Sequence, residues 1–159
     1  MKPNPEPIDT NDTAPDARKR WMGVLARAGT DQLKAALADL DKQPEYEYLR
    51  PPEIGMTMVR GRAGGKGEQF NLGEMTMTRC SIKMNNGHVG HGYIAGRDKP
   101  HAELAAIFDA LLQSSKHGQT LLAKVIDPIE SELKNNRQNQ AAKIAATKVN
   151  FFTMVRGEN

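Results

Sequence analysis

Residues 74–95 read EMTMTRCSIKMNNGHVGHGYIA. The first half, Glu74 to Met84, alternates in the manner of a strand with one face half-buried. Asn86-Gly87 follows, and a type I′ hairpin turn needs positive φ at both central residues, which Asn and Gly tolerate. If those two residues are the whole turn, Met84 pairs with Val89, Ile82 with His91 and Cys80 with Tyr93. These side chains then share one face. The other face holds Lys83, Ser81, Gly90 and Gly92, where two glycines leave strand backbone bare for another element or a ligand to approach. A three-residue turn with a bulge reverses that parity.

Working upstream, GRAGGKGEQFNLGE (61–74) connects this hairpin to another alternating run, Ile54 to Arg60. There Ile54, Met56 and Met58 share a face, with Thr57 and Val59 opposite. Arg50-Pro51-Pro52 is an extended break. Before it, Tyr46 and Tyr48 alternate with Glu45 and Glu47 as a short strand. Nearer the N-terminus, Trp21, Val24, Leu25 and Ala28 fall at i, i+3, i+4 and i+7, one face of a helix. Gly29 can close that helix in a left-handed conformation. Thr30 can cap a second one, with Leu33, Leu37 and Leu40 inward. Residues 1–17, rich in proline and acids, are expected to be a disordered tail.

Downstream, residues 100–115 carry a helical stripe of Leu104, Ile107, Phe108, Leu111 and Leu112, with Pro100 in the first turn. Leu121 to Ile126 resumes a helix that Pro128 interrupts or restarts. Residues 128–148 form a long helix whose middle, NNRQNQ, is polar all round and so exposed or covered by a polar partner. Phe151 and Phe152 lie near the end, a position that suggests docking on this fold or another chain. Strands segregated from helices imply an α+β fold: an antiparallel sheet of about four strands, an N-terminal helical hairpin and C-terminal helices. Residues 18–159 make one domain.

Composition narrows the function. The net charge is +3. Residues 1–17 set one lysine against four acids, a net of −3, so the remainder carries +6. A basic body favours anions. One cysteine, Cys80, excludes an internal disulfide and a self-contained iron–sulfur cluster. Eight methionines offer adaptable packing in a core or at an interface. The N-terminus lacks an apolar signal region, and no apolar run approaches the ~20 residues of a membrane span. The expectation is a cytoplasmic protein. Sparse, scattered aromatics give no stacking surface for nucleic acid.

Two stretches hold candidate anion-binding or interface residues. The glycine loop offers Arg62, Gly64, Gly65, Lys66, Gly67 and Glu68. It fails the Walker spacing, because three residues separate Gly61 from Gly65 and Gly67 follows Lys66. It also fails G-x-G-x-x-G, and a strand follows where both motifs need a helix. The loop is either a hairpin connection or an anion- or partner-binding loop. The second stretch, GRDKPHAE (96–103), offers Arg97, Asp98, His101 and Glu103 at the entry to the best helix. His101 and Glu103, two apart, diverge by about 200° on a helix and cannot chelate one metal. Asp98 can cap the helix and meet His101. Arg79 is a further candidate for phosphate. No catalytic set is complete, and no metal site is expected.

RAGGKGEQFNLGEMTMTR (62–79), GRDKPHAE (96–103) and VNFFTMVRGEN (149–159), with WMGVLARA (21–28), resemble PhnG, the G-subunit family of the bacterial carbon–phosphorus lyase core complex. The resemblance runs from about Arg18 to the C-terminus; Lys66 and Pro100 depart from it. It implies a cytoplasmic complex of G, H, I and J subunits in two copies each, with an associated ABC-type ATPase-like protein. It implies α-D-ribose 1-methylphosphonate 5-triphosphate synthase activity, in which a phosphonate displaces the adenine of MgATP. The nucleosidase-like chemistry is then the I subunit's, and the radical cleavage of the carbon–phosphorus bond the J subunit's. The resemblance supplies no catalytic residue and no cofactor for this chain, whose role is then accessory. Phe151, Phe152, Met154, Val155 and Arg156 are its candidate subunit-interface residues. The alternative is a free-standing basic nucleotide- or phosphate-binding protein.

Overall fold

A computed structural model describes residues 15–115 and 117–147. Two helices come first, α1 (Pro15–Leu25) and α2 (Thr30–Ala38). Three antiparallel strands follow in the order β1 (Tyr46–Arg62), β2 (Gln69–Met84) and β3 (Val89–Ala95). Helix α3 (Lys99–Leu112) crosses one face of this sheet. A single turn, α4 (Gly118–Leu121), leads through a widened turn at Leu122–Ile126 into α5 (Asp127–Ala146), which holds Pro128 in its first turn. The widening lets the chain continue helically past a residue without an N–H. The expected α+β class is what forms, and α1 begins at Pro15, inside the segment expected to be tail. The candidates Phe151, Phe152, Met154, Val155 and Arg156 lie outside the described residues.

The sheet has three strands, not four. Tyr46–Tyr48 and Ile54–Arg60 belong to one strand that runs through Arg50-Pro51-Pro52. The register slips between Tyr48 and Arg50 and again between Arg50 and Glu53, and neither proline enters the ladder. β1 pairs on one side only, so the missing N–H groups break no second ladder.

The turn after β2 also differs from the two-residue reading. Met84 N–H donates to His88 O at 2.9 Å and Gly87 N–H to Met84 O at 2.9 Å. Gly87 sits at φ 90° in the turn. The loop is therefore the three residues Asn85-Asn86-Gly87 with a bulge, and the parity reverses. Ile82 pairs with Gly90, Cys80 with Gly92, and Ser81 with His91. The bare backbone of Gly90 and Gly92 thus joins Cys80 and Ile82 on the core face, and α3 occupies it. A Cβ on Gly90 would collide with Ala106 O and come within 2.8 Å of Ala110 N. A Cβ on Gly92 would collide with Ala102 O. Alanines at 102, 106 and 110 make α3 equally flat where it meets the glycines.

Trp21, Leu25, Leu33, Ile82, Phe108 and Ile126 fill the core between sheet and helices. Asp109 of α3 is fully buried. It accepts from Arg18 at 3.2 and 2.8 Å, from Trp21 Nε1 at 2.8 Å and from the His91 N–H at 2.9 Å. Arg18 and Gln113 both donate to Val89 O, at 3.1 and 2.8 Å. Side chains from α1 and α3 thereby cap backbone groups of β3, a strand at the edge of the sheet. Gly29 is extended (φ −72°, ψ 136°), not left-handed, and Thr30 makes no cap for α2. The Thr30 hydroxyl donates to Asp98 at 2.7 Å instead.

Candidate functional site

β3 pairs with β2 only over Met77–Lys83. Beyond that, residues 69–76 and their β1 partners form a two-stranded arm of about 25 Å. Thr78 is fully buried at its base. From there the core-facing side of the sheet continues outward, past the helices, as Ile54, Met56 and Met58 opposite Thr78, Thr76 and Glu74. Met56 is 65% exposed and Leu72, passed over by a register shift, is also 65% exposed. Among the described residues no element covers this apolar stripe, and a two-stranded ribbon of this kind is marginal in water by itself.

The glycine loop is the tip of this arm. Gly64 and Gly65 sit at φ 57° and 78°, a left-handed pair that suits glycine. Gly67 N–H closes the turn on Ala63 O at 2.9 Å, and Arg62 Nη1 donates to Gly67 O at 3.1 Å. The Arg62 guanidinium is thus folded onto its own loop, while Lys66 and Glu68 are exposed. Arg79 lies ten residues along β2 from Gln69, about 30 Å away, so it cannot share one small anion with the tip. Its Nε donates to Glu53 Oε1 at 2.7 Å on the sheet face opposite α3.

In the segment after β3, Asp98, His101 and Glu103 all bond within the fold. Asp98 caps α3, accepting from His101 N–H at 2.9 Å, and takes the Thr30 hydroxyl as well. Those two bonds hold its carboxyl below the ordinary value. His101 is buried with Nε2 2.8 Å from Leu25 O, so Nε2 carries the proton. Glu103 accepts from Tyr46 OH at 2.5 Å and from Tyr48 OH. Burial and the Glu103 bond push the Tyr46 hydroxyl up, and the Glu103 bond leads the same shift at Tyr48. Asp98, His101 and Glu103 together fasten α2, the end of α1 and the start of β1 onto α3. Arg97 is exposed and stands apart from them. The tyrosine partners were not signalled by sequence, because they lie 57 and 55 residues from Glu103.

Cys80 is buried, and burial pushes its thiol up to about 11, which suits a packing residue and not a nucleophile. Among the described residues, three or more metal-ligating side chains nowhere cluster, and no helix is long and apolar enough to cross a membrane.

Comparison with known proteins gives the arm a context. Residues 16–157 match the family described as phosphonate metabolism protein PhnG. A relative from Rhizobium meliloti (strain 1021), named alpha-D-ribose 1-methylphosphonate 5-triphosphate synthase subunit PhnG, is 44% identical over 156 residues, which is 96% of this chain and 99% of the relative. A match over nearly the full length of both chains spans the helical layer, the sheet and the arm together. The chain belongs to the PhnG family of phosphonate metabolism proteins.

Proposed function

We propose that this chain is a subunit of α-D-ribose 1-methylphosphonate 5-triphosphate synthase in the bacterial carbon–phosphorus lyase complex, and that it serves assembly. The arm carries this reading: an apolar stripe is held out from the fold with no element among the described residues to cover it. Its partners are the H, I and J subunits, a second G copy and the associated ABC-type ATPase-like protein. MgATP is a substrate of the complex, and this chain holds no cofactor itself. The complex works in the cytoplasm. Arg62, Lys66 and the glycines of the tip are contact residues at the far end of the arm, with Arg97 a second contact.

Co-expression with H, I and J tests this. One variant lacks residues 151–159, and another carries Arg62→Ala with Arg97→Ala. Assembly is followed by co-purification and synthase turnover by adenine release. Loss of assembly in both variants is expected. Intact assembly with lost turnover in the arginine variant would reject an assembly role for those side chains and place them at the chemistry.

A further inference from the structure

The face of the sheet turned away from α3 carries a pattern that neither the arm nor the subunit reading uses. On the central strand, Arg79, Ser81 and Lys83 point to this face. Across from Ser81 lie Arg50 on β1 and His91 on β3, and across from Arg79 lies Glu53. Directly opposed residues stand about 5 Å apart and same-face neighbours along a strand about 7 Å. Ser81 therefore has a basic side chain on each of its four sides. Arg50, Arg79 and Lys83 are 45%, 47% and 48% exposed.

Two guanidinium groups already converge on one oxygen. Glu53 Oε1 accepts from Arg79 Nε at 2.7 Å and from Arg50 Nη1 at 3.2 Å. The other guanidinium nitrogens of both arginines make no hydrogen bond among the described residues. Ser81 Oγ and His91 Nδ1 are 2.8 Å apart. Either neutral tautomer of His91 leaves this pair one donor to spare. If Nδ1 holds the proton it donates to Ser81, and the hydroxyl proton is free. If Nε2 holds it, Ser81 donates to Nδ1 and the Nε2–H is free. With His91 neutral, three cations face two carboxylates, because Lys83 is 3.7 Å from Glu47. One carboxylate between two arginines leaves one positive charge uncompensated, and a dianion that displaced this carboxylate would balance both guanidinium groups.

We propose that this face is a phosphate-type oxyanion site. Arg50 and Arg79 grip the anion through charge-assisted bonds, the Ser81–His91 pair supplies a further donor, and Glu53 is an internal carboxylate that the anion displaces. The site concerns this chain alone and does not rest on the subunit assignment.

The test is calorimetric titration of the full chain with inorganic phosphate and, separately, with tripolyphosphate. Wild type is compared with Arg79→Gln, Ser81→Ala, Glu53→Gln and, as a charge control on α5, Lys143→Gln. Arg79 and Lys143 are exposed and Glu53 and Ser81 partly exposed, and circular dichroism checks that each variant folds. Saturable binding is expected, weakened about tenfold or more by Arg79→Gln, less by Ser81→Ala, tightened severalfold by Glu53→Gln and unchanged by Lys143→Gln. Tighter binding of tripolyphosphate assigns the site to a phosphate chain, and equal affinity to a single phosphoryl group; either supports it. Equal weakening by Arg79→Gln and Lys143→Gln, or no gain from Glu53→Gln, overturns it. So does the absence of saturation by either anion up to about 50 mM.

Discussion

Asp109 joins three parts of the chain that are far apart in sequence. Arg18 and Trp21 reach it from α1, and the His91 backbone reaches it from β3. Removing a buried charged partner of this kind costs about 3–5 kcal/mol, because the donors left behind are desolvated and unpaired. Asp109→Ala should therefore lower the unfolding free energy by about that amount, measured by urea denaturation. Asp98 makes a smaller, pH-dependent contribution of about 1 kcal/mol, the usual worth of an N-cap. Its folded pKa is depressed, so this stability is full above the ordinary carboxylate value near 4 and is lost as pH falls through the lowered value. Asn can still cap but cannot titrate. Asp98→Asn should accordingly lose less thermal stability than wild type between about pH 4 and pH 3. Asp98 as a cap was legible, since a short acid before Lys-Pro at a helix start has one common use. Asp109 was not, because every partner is set by tertiary packing.

At the scale of elements, the alternation from Glu74 to Met84 was legible and the register was not. One additional turn residue exchanges the faces of a hairpin, and Asn85-Asn86-Gly87 supports either turn length. The two glycines nevertheless pointed correctly to a close approach, which α3 makes. Gly90→Ala or Gly92→Ala should cost at least about 3 kcal/mol, since the new Cβ meets backbone of α3 that cannot rotate away. The thermal midpoint measures it. β1 was read as two strands because Pro51-Pro52 normally ends one; an edge position with two register slips tolerates them. The arm that results is separable from the core. Met58 pairs with Glu74, so replacing residues 59–73 with Asn-Gly should close the hairpin at that pair, and Ile54→Thr, Met56→Thr and Met58→Thr in the same chain remove the rest of the exposed stripe. The shortened chain should keep its thermal midpoint to within about 3 °C, because the deleted part packs against nothing in the core.

For the whole molecule, family membership was readable from separated stretches, while the arm emerged only from the sheet. Sequence gave the alternating apolar residues Ile54, Met56 and Met58, but a covered strand has the same pattern. What distinguishes them is that β3 stops at Ala95 and α3 packs only over the base. On the proposed reading a neighbouring subunit covers this ribbon. The most direct measurement is therefore the mass of the complex purified after co-expression of the H, I and J subunits with either the full chain or the arm-shortened one. Assembly through the arm predicts that the full chain is retained in the complex, while the shortened chain, though folded, is absent from it. Retention of the shortened chain at the stoichiometry of the full one would contradict it.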